Sequence, residues 1–118
     1  MSALLQLKRI KCHTTEDNTG RDEVYIKLDG ARVWEPWSMN DGDEETLEGA
    51  IPPREFEESI SVELWDHDQG WGDDDDHLGT VDLTPNMYHH YWLNPVRFTG
   101  DGASYDLWVR ITFPTPNS

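Results

Sequence analysis

Residues 23–34 read Glu-Val-Tyr-Ile-Lys-Leu-Asp-Gly-Ala-Arg-Val-Trp, and this stretch decides the fold. Its first half alternates strictly, with Val24, Ile26 and Leu28 on one face of an extended chain. Asp29-Gly30 then matches the two-residue turn of a β-hairpin, in which both residues adopt positive φ. The sequence therefore predicts two antiparallel strands that are joined by a tight turn.

Similar patterns on both sides of this hairpin predict further strands. The additional strands are expected at about residues 3–13, 44–49, 60–65, 78–83, 96–99 and 104–113. No stretch of ten or more residues has helical periodicity, and polar or proline-containing segments separate the strands. Seven to eight short strands predict an all-β antiparallel β-sandwich, with residues 1–118 as a single domain. The aromatic stretch 88–92 matches no element.

The charge of the chain is strongly negative and unevenly distributed. Aspartate and glutamate number 24 against 9 lysine and arginine residues, so the formal net charge is −15. Such a field repels phosphate backbones, and nucleic acid is therefore not an expected partner. A solvated acidic surface would explain the composition alone. The carboxylates, however, fall in tight runs between predicted strands, and this distribution favours cations as partners.

Several other functional classes lack their sequence signatures. Cys12 is the only cysteine, so an internal disulfide framework is excluded, and its place in an alternating strand predicts a buried thiol. The motifs of serine hydrolases, helical zinc proteases and phosphate-binding loops are missing, so we do not expect an enzyme. Neither a signal-peptide stretch nor an 18-residue apolar run occurs. The compartment stays open, and a secreted protein or a module of a larger protein would both fit.

The longest acidic run lies between two predicted strands, at residues 66–76. It has six aspartates in eleven residues, and Gly70 and Gly72 give its backbone the freedom to wrap around a ligand. A second acidic segment, residues 16–22, also lies between strands. Loops at one end of a sandwich can converge, and calcium prefers carboxylate and carbonyl oxygens. The two segments together therefore predict a cation site.

These two segments resemble the calcium-binding loops of C2 domains. Asp17 and the run Asp22-Glu23-Val24-Tyr25-Ile26-Lys27 are similar to the first loop of that family and the strand after it. Asp66-His67-Asp68 and Asp76-His77-Leu78-Gly79 are similar to its later Asp-x-Asp loop. Polycystin/lipoxygenase-like (PLAT) sandwiches, which have a first loop similar to Thr19-Gly20-Arg21-Asp22, are the nearest alternative.

The resemblance implies a C2-like sandwich that binds two or three calcium ions. The implied ligands are Asp17, Asp22, Asp66, Asp68 and Asp76, with Asp74 and Asp75 as further candidates. Backbone carbonyl groups, such as those of Glu16, His67 and Asp75, would complete the coordination.

The resemblance also implies calcium-dependent docking on phospholipid membranes. Trp71 lies in the middle of the long acidic run and would reach the interfacial layer of a bilayer. Alternatively, calcium makes one end of the sandwich rigid, and the domain serves adhesion, assembly or protein docking. Trp34, Trp37 and Trp92 would then be candidates for a partner surface, although core packing is the competing interpretation for each. A metal-dependent enzyme that uses His67 and His77 is the least favoured alternative.

Overall fold

The computed structural model describes residues 2–16, 20–67, 75–87 and 95–113, which form nine strands and two short 3-10 turns. The turns are Pro85–Met87 and Gly100–Gly102. No helix in these residues is long and apolar enough to cross a membrane. The strands are β1 (Ala3–Thr14), β2 (Asp22–Leu28), β3 (Ala31–Met39), β4 (Glu44–Thr46), β5 (Arg54–Phe56), β6 (Ile60–Asp66), β7 (Asp76–Leu83), β8 (Val96–Phe98) and β9 (Ser104–Thr112).

The strands form two antiparallel sheets. One has the order β4-β1-β9-β8, with β5 also paired to β1, and the other has the order β3-β2-β6-β7. The predicted all-β antiparallel sandwich is confirmed. The predicted hairpin also forms, since Asp29 and Gly30 have φ values of 50° and 83° between β2 and β3. The strand number exceeds the predicted seven to eight because β5, a strand of three residues, pairs with β1 in a stretch where no strand was predicted.

The core lies between the two sheets and follows the alternation of the sequence. Strand β2 contributes Val24, Ile26 and Leu28, all fully buried, and the other strands contribute alternate apolar residues in the same way. Cys12 is buried in this core, as predicted. Burial raises the pKa of Cys12 to about 11, so the thiol stays protonated at neutral pH.

Strand β3 is an edge strand and carries an exposed tryptophan. Its register to β2 shifts between the pairs that contain Trp34 and Trp37, and Pro36 falls outside the paired positions. Trp34 is buried and stacks on Trp37, with 6.1 Å between the ring centroids. Trp37 is 48% exposed. Of the three tryptophans considered for a partner surface, Trp37 is therefore the exposed one that the structure describes, and Trp92 lies outside the described residues.

Charged residues on the outer face of the β1-β9-β8 region are paired locally. Arg97 donates two hydrogen bonds to Asp106, at 2.7 and 2.8 Å, and His13 Nε2 lies 2.8 Å from the same carboxylate. The hydrogen bonds from Arg97 hold the pKa of Asp106 below its ordinary value. This buried carboxylate is therefore neutralised by its own neighbours.

Gly100 lets the connection between β8 and β9 lie directly on β7. A Cβ atom at this position would be 2.7 Å from the Leu78 carbonyl oxygen and 2.8 Å from that of His77. The next residue, Asp101, has φ of 54°, and the backbone N–H of Ala103 donates to Gly100 O at 3.0 Å. The connection is thus fixed against the beginning of β7.

We expect Gly100→Ala to lower the free energy of unfolding by about 1–3 kcal/mol, because the new methyl group must displace backbone atoms. Gly20→Ala is the matched control, since a Cβ there meets no atom of the described residues within 4 Å. The control should change stability by less than about 1 kcal/mol. Urea denaturation in EDTA measures both, and equal effects would contradict the tight packing of Gly100.

Candidate metal centre

On three neighbouring strands, the row of side chains that faces the core ends in an aspartate. Asp22 begins β2, Asp66 ends β6 and Asp76 begins β7, each two residues from a buried Val or Leu of the same strand. Because the strands are antiparallel, these ends meet: Asp66 pairs with Asp76 across the ladder, and β6 also pairs with β2. The carboxylates therefore lie beyond the core at one end of the sandwich.

Glu16 approaches this end from the other sheet, just after β1. Its backbone N–H donates to the two carboxylate oxygens of Asp22, at 3.2 and 3.0 Å. Its side chain takes part in two groups, in each of which one oxygen per residue lies within 4.8 Å of the others. The first group is Glu16, Asp22 and Asp66, and the second is Glu16, Asp76 and Asp101. These five residues are called the acidic end below.

Hydrogen bonds orient the two most deeply buried carboxylates of the acidic end. Asp22 is 3% exposed and accepts a hydrogen bond from the Tyr105 hydroxyl group at 2.6 Å. Asp66 is 7% exposed and accepts one from the backbone N–H of Glu23 at 2.8 Å. Burial and the neighbouring Asp22 raise the pKa of Tyr105, so its hydroxyl group remains a donor. Both aspartates are therefore held in place by the fold.

Glu16 is in an electrostatic environment that disfavours its charged form. Its Oε2 atom is buried and has no hydrogen-bond partner in the part of the chain that the structure describes. Burial, together with the carboxyl groups of Asp66 and Asp76, raises the pKa of Glu16 to about 9. Among the described residues, no basic side chain forms an ion pair with Glu16, Asp76 or Asp101. A proton or a cation is needed to offset this charge.

The spacing of the oxygens fits a calcium ion. Calcium lies about 2.3–2.6 Å from its ligands, so one ion can contact two oxygens that are up to about 5 Å apart. Both groups of the acidic end are within this limit, since their oxygens lie within 4.8 Å. Three carboxylates do not fill the roughly six to eight positions of calcium. Backbone carbonyls, further carboxylates or water would have to supply the remaining ligands.

Asp75 and His67 occupy a different position from the acidic end. Asp75 accepts a hydrogen bond from the Tyr25 hydroxyl group at 2.5 Å, and Tyr25 stacks on Trp65. Both aromatic residues alternate with the inward-facing residues of β2 and β6, so Asp75 lies towards the outer face of this sheet. His67 Nδ1 is 3.2 Å from Asp75 Oδ1, close enough for an ion pair but not aligned for a hydrogen bond. The side chains of Asp75 and His67 belong to neither group of three oxygens.

The structure thus brings together four of the residues that the sequence proposed as ligands. These are Glu16, Asp22, Asp66 and Asp76, and Glu16 takes part through its side chain as well as being a candidate through its carbonyl group. The side chains of His67 and Asp75 lie apart from these four. The remaining proposed residues lie outside the described part of the chain, and their roles stay predictions: Asp17, Asp68, Asp74 and the membrane-contact candidate Trp71.

Sequence reasoning missed Asp101 and Tyr105. Asp101 lies in a Gly-Asp-Gly turn, where an aspartate is ordinary, so its residue type gave no signal. Tyr105 faces inwards on β9, opposite Cys12, and its hydroxyl group reaches Asp22. The sequence did contain a signal for Tyr105, because a tyrosine at an inward-facing strand position usually needs a hydrogen-bond partner for its hydroxyl group.

Comparison with solved structures supports the resemblance that the loops suggested. A structure described as that of a C2 domain matches with a TM-score of 0.51 and 14% sequence identity, covering 95% of this chain and 98% of that chain. The fold is C2-like. A structure described as a C2 domain-containing protein has a TM-score of 0.47 at 14% identity, covering 100% of this chain and 93% of the other. No family model matches the C2-like chain, and no curated protein matches it.

We expect the metal-free C2-like protein to lose stability as the pH rises from about 5 to about 8. Folding raises the pKa of Glu16 from its ordinary 4.5 to about 9. The stabilisation from its bound proton is complete below the lower value and is lost as the pH rises towards the upper one. Cys12 and Tyr25, whose pKa values are raised to about 11 and about 12, do not titrate in this range.

Thermal unfolding in EDTA across this range tests the expectation. The wild-type melting temperature should fall with pH, and Glu16→Gln should flatten the dependence because the amide does not titrate. Glu35→Gln, at an exposed position on β3, is the control and should keep the wild-type slope. An unchanged slope in Glu16→Gln would show that Glu16 does not carry the proton.

Proposed function

We propose that this C2-like module binds calcium at its acidic end and that the bound calcium lets it dock on phospholipid surfaces. The observation that carries the calcium proposal is Glu16, whose side chain belongs to both groups of carboxylates and whose buried Oε2 atom has no hydrogen-bond partner among the described residues. The membrane proposal depends on it, and draws further on the C2-like fold and on the position of Trp71 in the acidic run.

A cation would relieve the repulsion among the carboxylates of the acidic end. Two like charges about 4 Å apart at a partly buried site repel by roughly 4 kcal/mol. The ladder holds Asp66 opposite Asp76, and Glu16 lies between the two groups. A doubly charged cation between the carboxylates would attract each of them, and this attraction would outweigh their mutual repulsion. The folded protein then no longer needs a proton on Glu16.

Calcium is favoured over the other common divalent ions by the chemistry of the ligands. The two groups of the acidic end contain carboxylates and neither histidine nor cysteine, which zinc prefers. Magnesium requires near-octahedral geometry at about 2.0–2.1 Å and loses its water reluctantly. Calcium accepts irregular oxygen sites with more ligands. Two or three ions are proposed, since two groups are present and Asp17, Asp68 and Asp74 would add carboxylates.

Docking on phospholipid would be local to the acidic end. Two or three bound ions, at +2 each, leave a formal net charge of about −11 or −9 instead of −15. Charges more than about 8 Å from the bilayer are largely screened at physiological ionic strength. Only the acidic end therefore has to become attractive to phosphate groups. Trp71 would add contact with the interfacial layer.

Calcium should stabilise the wild-type protein, because a ligand that binds only the folded state shifts the unfolding equilibrium. At about one hundred times the dissociation constant the gain is about 2.7 kcal/mol. Asp66→Asn should remove at least half of this gain. The asparagine oxygen can still accept the hydrogen bond from the Glu23 N–H, so the fold is kept while the charge is lost.

Thermal unfolding with calcium, with magnesium and with EDTA measures these effects. Asp82→Asn, at an exposed position near the other end of β7, is the matched control and should respond to calcium like the wild type. A wild-type melting temperature that millimolar calcium leaves unchanged would refute calcium binding. A full response in Asp66→Asn would mean that the ion binds elsewhere.

Membrane docking predicts sedimentation with anionic vesicles in calcium and little sedimentation with zwitterionic vesicles or in EDTA. Trp71→Ala should weaken this binding several-fold while leaving the calcium-induced thermal shift in place. Trp37→Ala, at the exposed tryptophan of β3, is the control and should sediment like the wild type. Calcium-dependent stabilisation without sedimentation would contradict the membrane proposal alone.

Trp37 favours a second candidate function, that of a calcium-rigidified protein-interaction module. An exposed tryptophan stacked on a buried one offers a large and rigid contact surface, and tryptophan is common among residues that dominate binding energy. Under this proposal Trp37→Ala would abolish binding to a protein partner, and vesicles would not be bound.

A further inference from the structure

We propose that the outer face of the first sheet is a second membrane contact, which binds the head groups of anionic phospholipids beside the acidic end. This inference rests on the membrane docking proposed above and adds a surface to it. The outer face of β1, β4, β8 and β9 is called the basic face below. The residues on it that are fully charged at neutral pH are Arg9, Lys11, Glu44, Arg97, Asp106 and Arg110.

The first argument is the sign of the charge on the basic face. Four basic residues stand against two acidic ones, so its formal charge is +2, which leaves −17 for the rest of a chain of net charge −15. Lys8, at the register shift of β1, forms an ion pair with Glu48 and adds no net charge with it. Asp106 is 4% exposed, whereas the side chain of its partner Arg97 is 59% exposed. The charge that this pair presents to solvent is therefore positive.

The opposite face of the sandwich has the opposite sign. In the ladders of the second sheet, two basic residues face outward against three acidic ones: Lys27 and Arg32 against Glu23, Glu63 and Asp82. Packed sheets lie about 10 Å apart, which exceeds the screening length of about 8 Å at physiological ionic strength. The negative charge of the second sheet therefore does not cancel the attraction of anions to the basic face.

The second argument is an aromatic residue within the basic face. Trp108 faces outward on β9, opposite Arg9 on β1, and the Arg9 guanidinium carbon lies 3.9 Å from the centroid of the indole ring. Trp108 is partly exposed. Indole rings favour the interfacial layer of a bilayer, and guanidinium groups bind phosphate. The pair thus offers both of the interactions that a head-group layer can accept.

The distribution of the basic residues fits a bilayer better than an acidic peptide. They lie on three strands, since Arg97 is on β8, Arg110 on β9, and Arg9 and Lys11 on β1. Strands β8 and β1 flank β9, so their rows are about 10 Å apart. An extended peptide would cover about one of these rows. A layer of phosphate groups can contact all three at once.

Sedimentation of the 118-residue chain with phosphatidylserine-containing vesicles in calcium tests this inference in the double variant Lys11→Gln/Arg110→Gln. A basic residue near an anionic surface contributes about fivefold in affinity, so the double variant should bind more than about tenfold more weakly. Lys27→Gln/Arg32→Gln is the matched control, because it removes the same charge from the opposite face. The control should bind within about twofold of the wild type, since that face lies beyond the screening length.

Thermal unfolding with calcium and with EDTA shows whether the variants keep the acidic end intact. Both double variants should keep the calcium-induced thermal shift of the wild type, because none of the four residues belongs to the acidic end. Weaker vesicle binding by Lys11→Gln/Arg110→Gln with an unchanged thermal shift would therefore assign the loss to the basic face and not to calcium binding.

The possible results separate this inference from the docking proposal. If the wild type sediments and Lys11→Gln/Arg110→Gln sediments equally well, the basic face is not a contact, and docking through the acidic end stands. A greater loss in Lys27→Gln/Arg32→Gln would assign the contact to the second sheet and overturn the inference. If the wild type does not sediment in calcium, both proposals fail together. Binding of the wild type to polyglutamate but not to vesicles would assign the basic face to an acidic protein partner and also overturn the inference.

Discussion

Repulsion between carboxylates that the β-ladder holds side by side is the constraint on which the acidic end depends. The register that places Asp66 opposite Asp76 is set by the apolar residues further along the same strands. A shift by one residue would turn all of those residues out of the core, which costs far more than the repulsion. The strands therefore cannot slide to separate the charges. A proton on Glu16, whose pKa is raised, or the proposed calcium ion would reduce the repulsion.

Hydrogen bonds connect the core directly to the acidic end. Tyr105 is fully buried between the sheets, opposite Cys12, yet its hydroxyl group donates to Asp22. Glu16 in turn donates its backbone N–H to the same carboxylate. These contacts arrange the oxygens without an ion, so the proposed binding of calcium would cost little conformational entropy. Holding the carboxylates close together disfavours the charged form of Glu16, and its pKa is raised as a result.

The part of the site that could be predicted from sequence follows from the period of two in a strand. Asp22, Asp66 and Asp76 continue inward-facing rows, and the resemblance identified all three. Adjacent strand residues point to opposite faces, so Asp75 and Asp76 face different sides of the sheet. The sequence does not show which of the four consecutive aspartates begins β7, so this difference could not be predicted. Asp101 was beyond prediction, because its place depends on the packing of Gly100 against β7, a contact between distant segments.

Strand β3 has a further consequence for how copies of this protein behave at high concentration. An uncovered strand edge offers N–H and C=O groups that can template a neighbouring molecule, which is a common route to fibrils. Pro36 has no N–H to offer and lies where the register of β3 is irregular. The ladder of a second molecule would be interrupted there. The exposed Trp37 therefore lies on a strand edge where Pro36 disfavours the addition of a strand from another molecule.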